Sequence, residues 1–123
     1  MTSVLNVDEI AAKDGTSPVA LTKQSAAKAW VNLDGTGTIA VSDSFNVTSA
    51  TDNGTGEYTI TITNAMSNST YSISGGTTPG GGAYTDLGYT SLATGSYKMF
   101  TSDGGSSQED KDPVMSNLHG DLA

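Results

Sequence analysis

Between residues 58 and 63 the chain reads YTITIT, with Tyr58, Ile60 and Ile62 alternating with Thr59, Thr61 and Thr63. Successive side chains of a strand point to opposite faces, so this period of two predicts a strand with an apolar face in a core and a threonine face outside it. β-Branched and aromatic side chains also fit a pleated surface better than a helix, where they lose rotamer freedom against the preceding turn.

The same period recurs along most of the chain from Trp30 onward. Ala29, Val31 and Leu33 share one face opposite Trp30 and Asn32, Ile39 and Val41 share a face in TIAVS, Phe45 and Val47 in SFNVTS, and Tyr71 and Ile73 in TYSIS. Weaker strands are predicted at 87–92 and 96–102, the second carrying Tyr97 and Met99 together. PVMSNLHGD sets Val114, Ser116 and Leu118 against Met115, Asn117 and His119. Short strands separated by turn signals every ~8–12 residues predict a mostly β fold: a single antiparallel β-sandwich or jelly-roll-like domain over 28–123.

The turns between these strands have a chemistry of their own. DGTG at 34–37 and NGTG at 53–56 each separate two alternating runs. Asp-Gly and Asn-Gly supply residues that tolerate positive φ, as tight hairpins require, and a second glycine fits a longer loop or a bulge. Two further stretches, GGTTPGGGAY at 75–84 and DGGSSQEDKD at 103–112, are expected to be surface hairpin ends, the first too glycine-rich to hold a strand and the second a polar, charged connector.

Residues 1–27 follow neither pattern. SVLNV alternates in part, Pro18 breaks the segment, and Thr22 is placed to cap a short helix over Lys23–Lys28. The segment is expected to be an extended docking arm, with Val4, Leu5, Val7 and Ile10 as its apolar contacts; a frayed terminus accounts equally well for the same composition.

Core material is scarce. Leu, Ile, Val and Phe together make 21 of the 123 residues, below the ~20% that with high net charge accompanies disorder. Regular alternation argues against a disordered chain. A β domain that completes its core by association with copies of itself is expected instead.

The charge balance narrows the partners. Five Lys, no Arg and 13 acidic residues give a net charge of −8, the opposite of what phosphate backbones and anionic membranes attract, so neither nucleic acid nor membrane insertion is expected. No apolar run approaches the ~20 residues of a bilayer-spanning helix. The absence of cysteine removes disulfides and thiolate metal sites. MTSVLNVDEIAAKDG has neither the basic nor the apolar region of a signal peptide, which predicts a protein made in a cytoplasm and used there or released by lysis.

Candidate chemistry is thin, and each constellation has a simpler explanation. Asp52 and Glu57 flank the NGTG turn and could offer carboxylate oxygens to Ca²⁺, but that ion takes six to eight oxygens and the spacing matches no calcium loop. His119 and Asp121 with one of many serines make a triad on paper, without the G-x-S-x-G elbow that would expose a nucleophile. Glu57, Asp86 and Asp103 are the carboxylates available for glycoside hydrolysis, in a domain with little aromatic surface for a sugar cleft. No cofactor is implied and no enzyme is expected. Trp30, Tyr84 and Tyr89 are the better candidates for contact with a partner or receptor, because aromatic residues anchor interfaces and stack on sugars. Tyr58 and Tyr71, at strand-periodic positions, are expected in the core. The sequons at Asn46, Asn53 and Asn68 are the yield of a threonine-rich chain.

KAWVN at 28–32, DGTGT at 34–38, SFNV at 44–47 and DNGTG at 52–56 before Tyr58 together resemble a recurring module of tailed-bacteriophage virion proteins, often described as tail-fibre-like and frequent in marine phages. The opening SVLNVDEI and closing HGDLA are similar to the termini of short members, while 75–112 stands outside the resemblance. The resemblance implies a non-enzymatic virion component, a small tail or capsid appendage. It further implies a homotrimer that contacts other virion proteins and a host-surface glycan. These 123 residues show no repeated shaft and no evident large attachment domain of the kind long fibres carry, and the resemblance supplies no catalytic residues.

Overall fold

The computed structural model describes residues 26–78, 86–105 and 107–123. Within them the chain forms eight strands: β1 (Ala29–Asp34), β2 (Ala40–Phe45), β3 (Val47–Gly54), β4 (Glu57–Ile62), β5 (Ser72–Thr77), β6 (Asp86–Ala93), β7 (Ser96–Ser102) and β8 (Val114–His119). They pair antiparallel in two four-stranded sheets, ordered β2-β1-β8-β5 and β3-β4-β7-β6. The fold is therefore the expected all-β, sandwich-like arrangement. Among the described residues no helix is long and apolar enough to cross a membrane. The arm positions Val4, Leu5, Val7 and Ile10 and most of the helix expected over Lys23–Lys28 lie outside the described residues. The described end of that helix, Ala26–Lys28, is irregular chain leading into β1.

Alternation is sharpest where a strand is flanked on both sides. The central strands β1, β8, β4 and β7 bury every second residue, so that Ala29, Val31, Leu33, Val114 and Leu118 of one sheet face Tyr58, Ile60, Ile62, Tyr97 and Met99 of the other. Met66 and Tyr71 close the core from the β4–β5 connection. One chain thus assembles a core of its own, and association with copies is not needed to complete it.

Asn46 carries the chain from one sheet to the other. Its φ of 55° is a left-handed conformation that Asn tolerates better than most residues. Its amide donates to the carbonyls of Lys28 (2.9 Å) and Asn64 (3.0 Å) and accepts from Asn64 N–H (2.7 Å). This corner corrects the expectation that Phe45 and Val47 share a face. A period of two holds only within one strand, and here Phe45 ends β2 on an outer surface while Val47 opens β3 against the core.

The turns behave as expected at one level and differ in detail. Gly54 and Glu57 are register partners, so Thr55-Gly56 forms the tip of the β3–β4 hairpin, and the register shift between Asp52 and Gly54 is a bulge. Gly54 and Gly56 both have positive φ, at 135° and 66°. In the β1–β2 loop Asp34 Oδ1 accepts from Thr36 N–H and Oγ1, a side-chain-closed turn.

Two loop expectations are overturned. Gly75–Thr77 is strand, the second half of β5, paired to Val114–Ser116 of β8. A Cβ on Gly75 would lie 2.0 Å from the Met115 carbonyl oxygen on the neighbouring strand β8 and 2.4 Å from Tyr89 Oη of the other sheet; glycine is present because the space is taken. The connector after β7 is not a free hairpin end either. Glu109 N–H bonds to the Thr101 carbonyl, Thr101 Oγ1 bonds to the Glu109 carbonyl, and Lys111 gives its carbonyl to Gly35 N–H. Asp110 Oδ1 accepts from Gly56 N–H (2.7 Å) and Tyr58 Oη (3.1 Å), while the Lys111 side chain, 4% exposed, pairs with Glu109.

Candidate contact face

The two outer faces of the sandwich differ in chemistry. On the β3-β4-β7-β6 sheet the outward row across the strands reads Thr51, Thr59, Lys98, Thr90, and beside it Glu57 pairs with Lys98 at 2.5 Å. This is an ordinary solvated face.

On the β2-β1-β8-β5 sheet the corresponding row is Phe45, Trp30, Asn117, Ser74, followed by Asp43, Asn32, Met115, Gly76. Residues directly opposite on neighbouring strands share a face and touch, so Phe45 and Trp30 make one aromatic pair. Phe45 is 55% exposed and Met115 39% exposed. Beside Met115 lies an open depression of about 490 Å³, lined by Trp30, Asn32, Asn117 and His119 and also by Ala27, while Phe45 flanks Trp30 on the edge strand. Ser74 Oγ bonds to Asn117 Oδ1 at 2.8 Å and fixes that amide, whereas Asn32 Oδ1 is shut off from solvent without a donor. A flat aromatic surface with amides beside it can stack on a ring or cover an apolar patch of another protein, and its amides can donate and accept.

Of the three aromatic residues expected to contact partners, Trp30 lies on this face and Tyr84 is outside the described residues. Tyr89 is a correction. It pairs with Met99 on the inward side of β6, its hydroxyl is buried without a partner, and burial pushes that phenol up to about 12. Residue type makes Tyr89 a contact candidate, but strand parity decides its direction. Phe45 and Met115 were missed as contact residues. Register could have found them, since each stands on the same face as Trp30 or Asn32, yet register is a property of pairing and not of the linear sequence.

The candidate acids do not converge. Asp52 Oδ1 caps Gly54 N–H at 2.8 Å, and Glu57 is engaged by Lys98. Asp86 Oδ2 receives Ser102 Oγ at 3.4 Å, and Asp103 Oδ1 closes a turn on Gly105 N–H. His119 sits on the outer face of β8, and Asp121 follows it on the chain's exposed end. Among the described residues no group of three or more His, Asp or Glu is placed to hold a metal ion. Comparison with protein-family models, with curated proteins and with solved structures finds no match to this chain.

Proposed function

We propose that this chain is a non-enzymatic structural component of a tailed-bacteriophage virion, a small tail or capsid appendage made in the host cytoplasm, working as a homotrimer through assembly and surface binding. The observation that carries the reading is the Trp30–Phe45–Met115 surface. It exposes contact-forming residues on the outside of a sandwich that already has its own core, while the acidic residues serve turns and ion pairs. The motifs from KAWVN to DNGTG, with their likeness to phage appendage modules, give the surface its biological setting.

In this reading residues 1–27 hold the domain to other virion proteins. Removing them should leave a folded β domain that no longer enters particles. Truncated protein at full occupancy on particles would overturn the arm's role.

A second reading, a carbohydrate-binding module at a fibre tip, draws on one observation: Trp30 lies beside the amide of Asn117 and beside His119 in an open depression, an arrangement suited to a sugar ring. Trp30→Ala separates the two. Loss of adsorption to host cells by particles that still carry the protein supports the tip; normal adsorption removes it.

A further inference from the structure

The assembly reading does not say which surface the copies share. We infer that they meet through the outer face of the β2-β1-β8-β5 sheet, so that the occupant of the depression over Trp30 is a second copy of this chain. The inference rests on the proposal of self-association and adds its location.

Charge is the first argument. Each copy carries −8, so two copies repel across most pairs of faces. The row Phe45, Trp30, Asn117, Ser74 has no charged group. The charges at the ends of β1 are of opposite sign: Lys28 directly precedes the strand, and Asp34 closes it on the same outward parity as Trp30. Six residues of strand separate them by about 20 Å. Copies that approach head to tail bring Lys28 of each beside Asp34 of the next, whereas copies that approach with strands in the same sense bring like charges together. Repeated around a three-fold axis, with β1 of each copy lying crosswise to that axis, head-to-tail contact closes a ring of three with these faces turned inward. The Thr36 hydroxyl and N–H donate to the Asp34 carboxyl and lower its pKa, which favours the charged form. Asp43, opposite Asn32 on the edge strand, is the one carboxylate among the described residues that flanks the aromatic pair, and it lies toward the edge of the face.

Residue chemistry is the second argument. Trp, Phe and Met are enriched in the buried centres of protein interfaces, and an amide such as Asn117 can both donate to and accept from its own copy.

Sedimentation equilibrium of the full chain tests this, with far-ultraviolet circular dichroism to confirm folding of each variant. Trp30→Ser and Phe45→Ser should each weaken association about 30-fold or more, as loss of a central anchor does. Lys28→Asp and Asp34→Lys should each weaken it, and the double exchange should recover most of the loss, which a merely structural role for either residue would not produce. If the wild type associates and folded Trp30→Ser and Phe45→Ser variants associate as strongly, the face is wrong and the assembly reading survives. If the wild type stays monomeric at hundreds of micromolar, both fail.

Discussion

Tyr97 Oη and Ser116 Oγ meet at 2.6 Å across the core, tying β7 of one sheet to β8 of the other. Both groups are buried, and a hydroxyl taken out of water without a partner is costly. Their pairing explains how serine occupies a core position between Val114 and Leu118 on the inward face of β8. Tyr97→Phe should cost about 1–3 kcal/mol, because it leaves Ser116 unsatisfied. Adding Ser116→Ala to Tyr97→Phe should recover part of that loss. Urea unfolding of the two single variants and the double variant gives the coupling directly.

The buried tyrosines predict an alkaline limit to stability. Burial pushes the phenols of Tyr58, Tyr71 and Tyr97 upward and that of Tyr89 up to about 12. A folded-state value above the unfolded value of about 10 means that the unfolded chain loses these protons first. The stability they contribute is therefore whole below pH ~10 and is lost as pH rises through the raised values. The urea midpoint should hold from pH 8 to about 10 and then fall steeply. Tyrosinate absorbance should appear together with unfolding; smooth titration of every tyrosine near pH 10 in folded protein would contradict this.

Gly75 and Gly76 are neighbours on one strand and should respond oppositely to the same change. A Cβ on Gly75 meets the Met115 carbonyl oxygen, and one on Gly76 meets nothing within 4 Å. Gly75→Ala should destabilise by about 1–3 kcal/mol through overpacking against backbone that cannot swing away. Gly76→Ala should be neutral or slightly stabilising, because alanine restricts the unfolded chain. Thermal unfolding of the two variants side by side measures the contrast.

The central strands were legible in the sequence for the same reason that they are central. A strand with neighbours on both sides and a sheet beneath it, such as Tyr58–Ile62 or Val114–Leu118, must alternate strictly. Edge strands carry no such demand: Val41 is exposed, and β3 from Val47 to Gly54 reads mostly polar. The corner at Asn46 was not legible, because a single left-handed residue breaks the period without changing the composition around it. The segment 108–112 was misjudged because QEDKD is polar, and polarity marks exposure unless the groups find partners; here Asp110 binds Gly56 and Tyr58, and Lys111 is buried against Glu109. Of the contact face, only Trp30 could be named beforehand. Its partners Phe45 and Met115 lie 15 and 85 positions further along the chain and meet it only through sheet pairing.

Self-association through an exposed aromatic face is the claim on which this account most depends. Light scattering coupled to size-exclusion chromatography of the full chain at tens of micromolar tests it most directly. The account predicts a single species of three times the 12.5 kDa chain mass, and a compact species of one chain mass at every concentration would contradict it.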